Sequence, residues 1–428
     1  MRVEIAAGEY DAAEMGTMTD ATFGAFLGII DEAVEVRGAG CGATVIDFGN
    51  AGAGFLVRNT GARVDGLTLL NAASTAKAFS GAAFYANAGV VSNVVVNGGA
   101  IWGSSVYVGA GAVVADAVIT NLTCCSGKTS ACPVCLCGGT LEDVLIVGNA
   151  GYNYGGISVT KPGVSATAQL RRVRVLNNTA TSGTGALECS AAADATDCEF
   201  SGNVSTGGNG AVAVINSFDG VLTMRNCRVT GNSIYKCASA LYVAGWSTLN
   251  MKNVLVAGNF GRTGTYATAD YPTRAIRVED AGMLELVNCT VTDNTSVSAV
   301  NGGISVGSHS KYQKTIENCV FWGNRGIAGT GSSNAVIDAS ARVPTIGCSC
   351  WPEATEEGGC TSGDPKLRTV KRYRYYPSPK GSCYETGDAT GWTAADVDLA
   401  GKPRLRDGKI DIGCYQAVPL PGLMLMLK

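Results

Sequence analysis

Apolar and polar positions alternate in short bursts along most of this chain, and the bursts recur. The clearest is Asn226-Cys-Arg-Val-Thr-Gly-Asn232, which returns as Asn288-Cys-Thr-Val-Thr-Asp-Asn294 and Asn318-Cys-Val-Phe-Trp-Gly-Asn324. Looser copies end at Asn149, Asn178, Asn203 and Asn259, and degenerate ones at Ala72, Gly99 and Leu122. The second position holds Val144, Val173, Cys198, Cys227, Val254, Cys289 and Cys319; two further on stand Ile146, Val175, Phe200, Val229, Val256, Val291 and Phe321. A period of two in β-branched, aromatic or thiol residues predicts the inward face of a strand. The residues between them, Leu145, Arg174, Glu199, Arg228, Leu255, Thr290 and Val320, vary freely and are predicted to face outward. The closing Gly-Asn or Asp-Asn pair is turn chemistry, tolerant of positive φ.

Two further phrases alternate in the same way. One comprises Gly155-Gly-Ile-Ser-Val159, Gly210-Ala-Val-Ala-Val214, Ala238-Ser-Ala-Leu-Tyr-Val243, Arg274-Ala-Ile-Arg-Val278 and Gly302-Gly-Ile-Ser-Val306; the other comprises Leu222-Thr-Met224, Leu249-Asn-Met251 and Leu284-Glu-Leu286. The spacing of the well-formed copies drifts between 25 and 35 residues. Helical repeats must keep whole turns in register, whereas short strands joined by elastic loops can drift. Three strands per turn and about 28 residues per coil predict an all-β, parallel β-helix solenoid of about ten or more coils. Successive coils pair at about 4.8 Å, so each column stacks on itself. Large loops and irregular periods favour the right-handed form. The expected organisation is a solenoid over 1–347, with a cysteine-rich loop insertion at 123–138, and a cysteine-containing capping segment over 348–428.

Composition agrees with a long, dry interior bounded by tight turns: charged residues make up 16% of the chain and glycine 58 of 428 residues. A net charge of −3 without a basic, aromatic-laced stripe argues against a nucleic-acid partner. No run of about 18 apolar residues is present to span a membrane. The first residues, Met1-Arg-Val-Glu-Ile-Ala-Ala-Gly-Glu-Tyr10, read as a coil already under way and carry no leader pattern, which is the expectation for a matured or truncated chain.

The 17 cysteines fall largely into three groups. Cys198, Cys227, Cys289 and Cys319 form an inward column, packing as small hydrophobes or bridging neighbouring coils. Cys124, Cys125, Cys132, Cys135 and Cys137 crowd one stretch, expected to be a loop extruded from the coil. Disulfides could staple it, its Cys-Pro-Val-Cys knuckle could hold zinc, or its thiols could be free. Cys348, Cys350, Cys360, Cys383 and Cys414 sit where the repeat fades, placed to staple the end of the solenoid.

From Asp364 the text changes to Asp364-Pro-Lys-Leu367, Ser378-Pro379, Asp396-Val-Asp-Leu-Ala-Gly-Lys-Pro-Arg404 and Lys409-Ile-Asp-Ile-Gly-Cys-Tyr-Gln416. In order and spacing this resembles the closing signature of bacterial right-handed parallel β-helix proteins of the choice-of-anchor type, departing from it at Cys414 and Gln416. Phe200-Ser-Gly-Asn203 and Phe321-Trp-Gly-Asn324, with Gly155-Gly-Ile157 and Gly302-Gly-Ile304, are similar to the repeats of polymorphic outer-membrane proteins. The resemblance implies a secreted or cell-surface protein of the pectin-lyase-like superfamily, which contains both enzymes and adhesins.

The polygalacturonase signatures Asn-Thr-Asp, Asp-Asp and Gly-His-Gly are absent. The single histidine, His309, lies in a polar segment and reads as a solvated loop residue or as a catalytic candidate. Glu142, Arg171, Arg225, Lys252 and Glu317 share one column, and Asp143, Arg172, Asp197, Asn226, Asn253, Asn288 and Asn318 the next. One reading is a lyase site around Asp143, Arg172, Arg174 and Asp197, which would require calcium. The preferred reading is structural: Asn226, Asn253, Asn288 and Asn318 form a turn ladder, and opposite charges pair between coils. The sequence therefore points to a non-catalytic structural or adhesin-like protein, without a cofactor, presenting loops to glycans, cells or copies of itself head to tail. A polysaccharide lyase or glycoside hydrolase is the alternative.

Overall fold

The computed structural model describes residues 1–73, 80–124, 131–160, 166–207, 210–214, 220–234, 239–261, 274–279, 281–296, 302–306, 314–326, 345–369 and 375–417. They form a right-handed parallel β-helix. Three long walls run along its axis, each a stack of one strand from every coil. The first contains Cys132–Cys137, Ile157–Val159, Leu187–Cys189, Gly210–Val214, Ser239–Val243, Ile276–Val278 and Ile304–Val306. The second contains Thr140–Glu142, Ala168–Arg171, Ala192–Thr196, Val221–Arg225, Thr248–Lys252, Met283–Val287, Lys314–Glu317 and Thr345–Gly347. The third contains Leu145–Val147, Arg174–Leu176, Glu199–Ser201, Arg228–Thr230, Leu255–Ala257, Thr290–Thr292 and Val320–Trp322. A fourth, two-residue rung follows each third-wall strand, as in Thr179–Ala180, Val204–Ser205 and Ser233–Ile234. The alternation predicts only three strands, because two residues are too few to show a period.

One residue turns the second wall into the third, and it lies in the left-handed region. Asp143, Asp197, Asn226, Asn253, Asn288 and Asn318 occupy this bend with φ of 50 to 62°. Asn and Asp tolerate that conformation because their short polar side chains bond locally. Arg172 takes the same bend at φ 53°. Asn253 donates to Asn226 at 2.8 Å and Asn318 to Asn288 at 3.2 Å, so this column bonds in pairs.

The closing pair of the phrase divides its labour. Gly148, Asn177, Gly202, Gly231, Gly258, Asp293 and Gly323 take positive φ. The asparagine that follows does not bend the chain; it points inward. Asn149, Asn178, Asn203, Asn232, Asn259, Asn294 and Asn324 are buried to 3% exposure or less. Each amide nitrogen from Asn149 to Asn294 donates to the next asparagine's Oδ1, at 2.8 to 3.1 Å. This buried ladder, one rung per coil, satisfies polar groups at the tightest corner of a dry interior.

The inward columns close the core as their alternation predicts: Val175, Phe200, Val229, Val256, Val291 and Phe321 are exposed by no more than 1%. The outward prediction fails in the later coils. Leu255, Thr290 and Val320 are also buried, at 0, 2 and 1% exposure. The cause is the C-terminal segment, which runs back along the outer face of the third wall as a strap. Leu255 packs with Tyr375, Tyr376, Leu399 and Tyr415, and Val320 with Cys350, Cys383 and Ile412. The strap is also pinned by polar bonds: Arg228 to the Leu399 carbonyl at 2.7 Å, Asn253 to that of Val397 at 3.1 Å, and the Cys414 amide to Thr290 Oγ1 at 3.0 Å.

The closing signature is the strap's internal knot. Asp398 accepts the amides of Ala400 and Lys402 at 2.8 Å and that of Gln416 at 2.7 Å. Gln416 accepts the Asp411 amide at 2.8 Å and donates to the Arg404 carbonyl, while the buried Arg404 donates to the Gly413 carbonyl.

Two boundaries move. Cys132–Cys137, expected in an extruded loop, is a first-wall strand paired with Ser104–Thr120 and Ile157–Val159. Its Val134 and Leu136 have the inward alternation of that wall. The stack also runs past 347, where Cys350 bridges Val320 and Thr361. Among the described residues no helix is long and apolar enough to cross a membrane.

Candidate functional site

Of the charged candidates, Glu142, Asp143 and Arg172 meet where the second wall turns into the third. Arg172 Nε meets Asp143 Oδ1 at 2.7 Å, while Nη2 reaches Asp143 Oδ2 at 2.7 Å and Glu142 Oε1 at 2.5 Å. The positive-φ bend aims the guanidinium back over the preceding coil, and its fork matches the carboxylate. Arg172 and Asp143 are exposed and Glu142 is half-buried. The Arg172 hydrogen bond holds the Asp143 carboxyl below its usual range. Its contribution to stability is therefore present above the unfolded-state value and is lost as pH falls through the depressed one. Arg174 does not join this group; it pairs with Glu199 at 3.1 Å. Asp197 is exposed at the next bend. His309 and Cys125 lie outside the described residues.

A second cluster lies on the outer side of the first wall, and no motif in the chain marks it. Glu188 stands in register between Ser158 and Ala213, in an outward position that a strand read alone would assign to solvent. It is only 9% exposed because two loops roof the wall. Tyr154 and Thr184 bridge in parallel, and the Ser182 and Thr184 amides bond the Tyr152 and Asn153 carbonyls at 2.7 Å. Beneath them Thr184 Oγ1 donates to Glu188 Oε2 at 3.1 Å, and Tyr154 supplies a further hydrogen bond. Desolvation dominates these bonds and raises the Glu188 pKa. Burial likewise raises that of Tyr154.

An acid with a raised folded-state pKa contributes fully below its unfolded value and loses that contribution as pH rises through the folded one. Glu188→Gln, which keeps shape and an acceptor without the charge, is therefore expected to raise the melting temperature at neutral pH. The gain should vanish in acid. Thermal melts of both proteins across pH check this, and a lower melting temperature at neutral pH would refute the assignment.

Next along the same column, Cys135 lies between Tyr107 and Ser158. Hydrogen bonding from Cys132, aided by Thr160 at 3.6 Å, lowers its pKa against the opposing effect of burial. The Tyr107 ring stacks on Tyr85 at 4.2 Å, and Tyr85 meets Phe23 at 4.6 Å, making an aromatic step on the outer face. Among the described residues no disulfide bond joins two cysteines. Cys198, Cys227, Cys289 and Cys319 are buried to 1% or less, and Cys289 receives no bridge from Cys319, whose sulfur accepts its amide at 3.4 Å. Among the described residues, no three His, Cys, Asp or Glu side chains converge as metal ligands.

Comparison with solved structures finds similar folds at low identity. The A-modules of the Azotobacter vinelandii mannuronan C-5 epimerases AlgE6 and AlgE4 are 15% and 14% identical, with TM-scores of 0.42 and 0.38. The alignments cover 82% of this chain and 90% of the AlgE6 module, and 81% and 91% for AlgE4. Pectate lyase Pel9A is 12% identical over 97% of this chain and 88% of its own, with a TM-score of 0.36. No curated protein sequence matches the chain. The family described as a right handed beta helix region matches residues 155–341, and with the stacked walls this makes the chain a right-handed parallel β-helix.

Proposed function

We propose that this chain is a non-catalytic structural or adhesin-like β-helix of a secreted or cell-surface protein, presenting its outer faces to glycans. The observation that carries this reading is the exposed fork in which Arg172 engages both Glu142 and Asp143. Within that fork, each charge that could polarise or deprotonate a sugar is committed to a neighbour on the adjacent coil. The closing signature supports a protein of the choice-of-anchor type, and the paired FxxN and GG[AI] phrases support likeness to polymorphic outer-membrane repeats. The aromatic step at Phe23, Tyr85 and Tyr107 suits the apolar face of a sugar ring. The organisation proposed is one solenoid with a cysteine-containing terminal segment.

A second reading, a polysaccharide lyase or glycoside hydrolase, is favoured by Glu188, since burial raises its pKa, the direction in which a carboxylic acid becomes a better-suited proton donor. Product release from uronic-acid and neutral polysaccharides separates the two. Turnover abolished by Asp143→Ala, Arg172→Ala or Glu188→Gln would overturn the structural reading.

A further inference from the structure

We propose that Cys350 and Cys383 form a disulfide that locks the C-terminal strap onto the last coil. Cys350 belongs to the coil, bridging Val320 on one side and Thr361 on the other. Cys383 belongs to the strap, where its carbonyl accepts the Ile412 amide at 3.0 Å. Both side chains are fully buried and share one apolar cluster with Val320 and Ile412. Their sulfurs converge on one hydroxyl: Ser382 Oγ lies 3.6 Å from Cys350 Sγ and 4.0 Å from Cys383 Sγ. The two thiols also hydrogen-bond to each other, which with Ser382 holds Cys350 toward thiolate.

Other touching thiols gain less from closure. Cys198 and Cys227, like Cys289 and Cys319, sit in coils that the ladders already hold side by side. Cys132 and Cys135 belong to one strand, so a bond between them would close a loop of almost no length. Joining Cys350 to Cys383 closes a loop about as long as those between neighbouring coils, but it ties the coil to a separate element, the strap, that no ladder holds in place.

The chemistry is thiol–disulfide exchange with a small disulfide oxidant such as oxidised glutathione. The Cys350 thiolate attacks one sulfur of the oxidant and expels the other as thiolate. The Cys383 thiolate then attacks the Cys350 sulfur, forming the new S–S bond and expelling the second thiol. Two electrons pass to the oxidant, which leaves as two thiols carrying the two protons. Because both cysteines are buried in the finished fold, the exchange precedes or accompanies strap docking.

The test is a non-reducing peptide map of the whole chain refolded in a glutathione redox buffer, then denatured and alkylated. The compartment in which the protein works therefore does not enter the result. A cross-linked peptide pair containing Cys350 and Cys383, lighter by two hydrogens than its reduced halves, is expected. In the oxidised wild type, dithiothreitol should lower the melting temperature and speed proteolysis of the strap; in Cys383→Ser it should do neither. Alkylation of Cys350 or Cys383 in the unreduced protein, or linkage of either to another cysteine, would overturn the proposal. The map uses wild-type protein, so it decides the matter even if Cys383→Ser fails to fold.

Discussion

Replacing Asn232 with alanine should destabilise the rod by about 3–5 kcal/mol, since each buried polar group left unpaired costs about 1–3 kcal/mol and such losses are not fully additive. Asn232 uses its whole amide. Its Oδ1 accepts from the Asn203 amide at 2.9 Å and from Asn203 Nδ2 at 3.0 Å. Its Nδ2 donates to the Phe200 carbonyl at 3.0 Å and to Asn259 Oδ1 at 2.9 Å. Alanine orphans the Asn203 backbone amide and takes a donor from the Phe200 carbonyl, at a site with no exposure to water; Asn203 Nδ2 loses one acceptor and keeps the Val175 carbonyl at 2.8 Å. Aspartate should be no better, because it can accept but not donate and would bury a charge. A lowered denaturant midpoint followed by far-ultraviolet circular dichroism measures the effect. A shift within error of wild type would show that the ladder is decorative.

Tyr415→Ala is expected to release the strap. The ring is 1% exposed, packs on Tyr376 with centroids 4.7 Å apart, and lies in the cluster that covers Leu255. Truncating a buried aromatic costs about 3–5 kcal/mol, and here the loss falls on the docking of one segment rather than on the stacked coils. Limited proteolysis should cut the variant within 375–417 while the coils resist. Trp392, held beneath Lys252 at 3.8 Å, gives a fluorescence signal for the same event. Uniform digestion of coils and strap would mean instead that the strap is integral to the solenoid.

The coil is legible in the sequence because its inward columns keep a strict period of two, and a residue such as Phe200 or Val229 repeats the same environment every turn. The role of Asn232 is not, since composition cannot separate an asparagine that bends the chain from one that enters the core beside a glycine that bends it. The strap leaves a trace: the outward column reads Leu145, Arg174, Glu199, Arg228 and then Leu255, Thr290, Val320, its charged run ending where something covers it. One sequence shows that change but not what causes it. Glu188 stays hidden because its surroundings come from loops of two different coils, at Tyr154 and Thr184, and only stacking brings them together. Arg172 stands out by its column, yet its pairing with both Glu142 and Asp143 depends on a left-handed bend that arginine rarely occupies.

The proposal that this rod is built to present surfaces rather than to cut or epimerise chains meets its most direct test in a single incubation. Purified protein is held with uronic-acid and neutral polysaccharides across pH, with and without calcium, and new reducing ends, unsaturated products and changed uronate stereochemistry are followed over time. A surface-presenting rod should give no change above the protein-free control. Product formation that Glu188→Gln or Arg172→Ala abolishes, with the variant still folded, would contradict it.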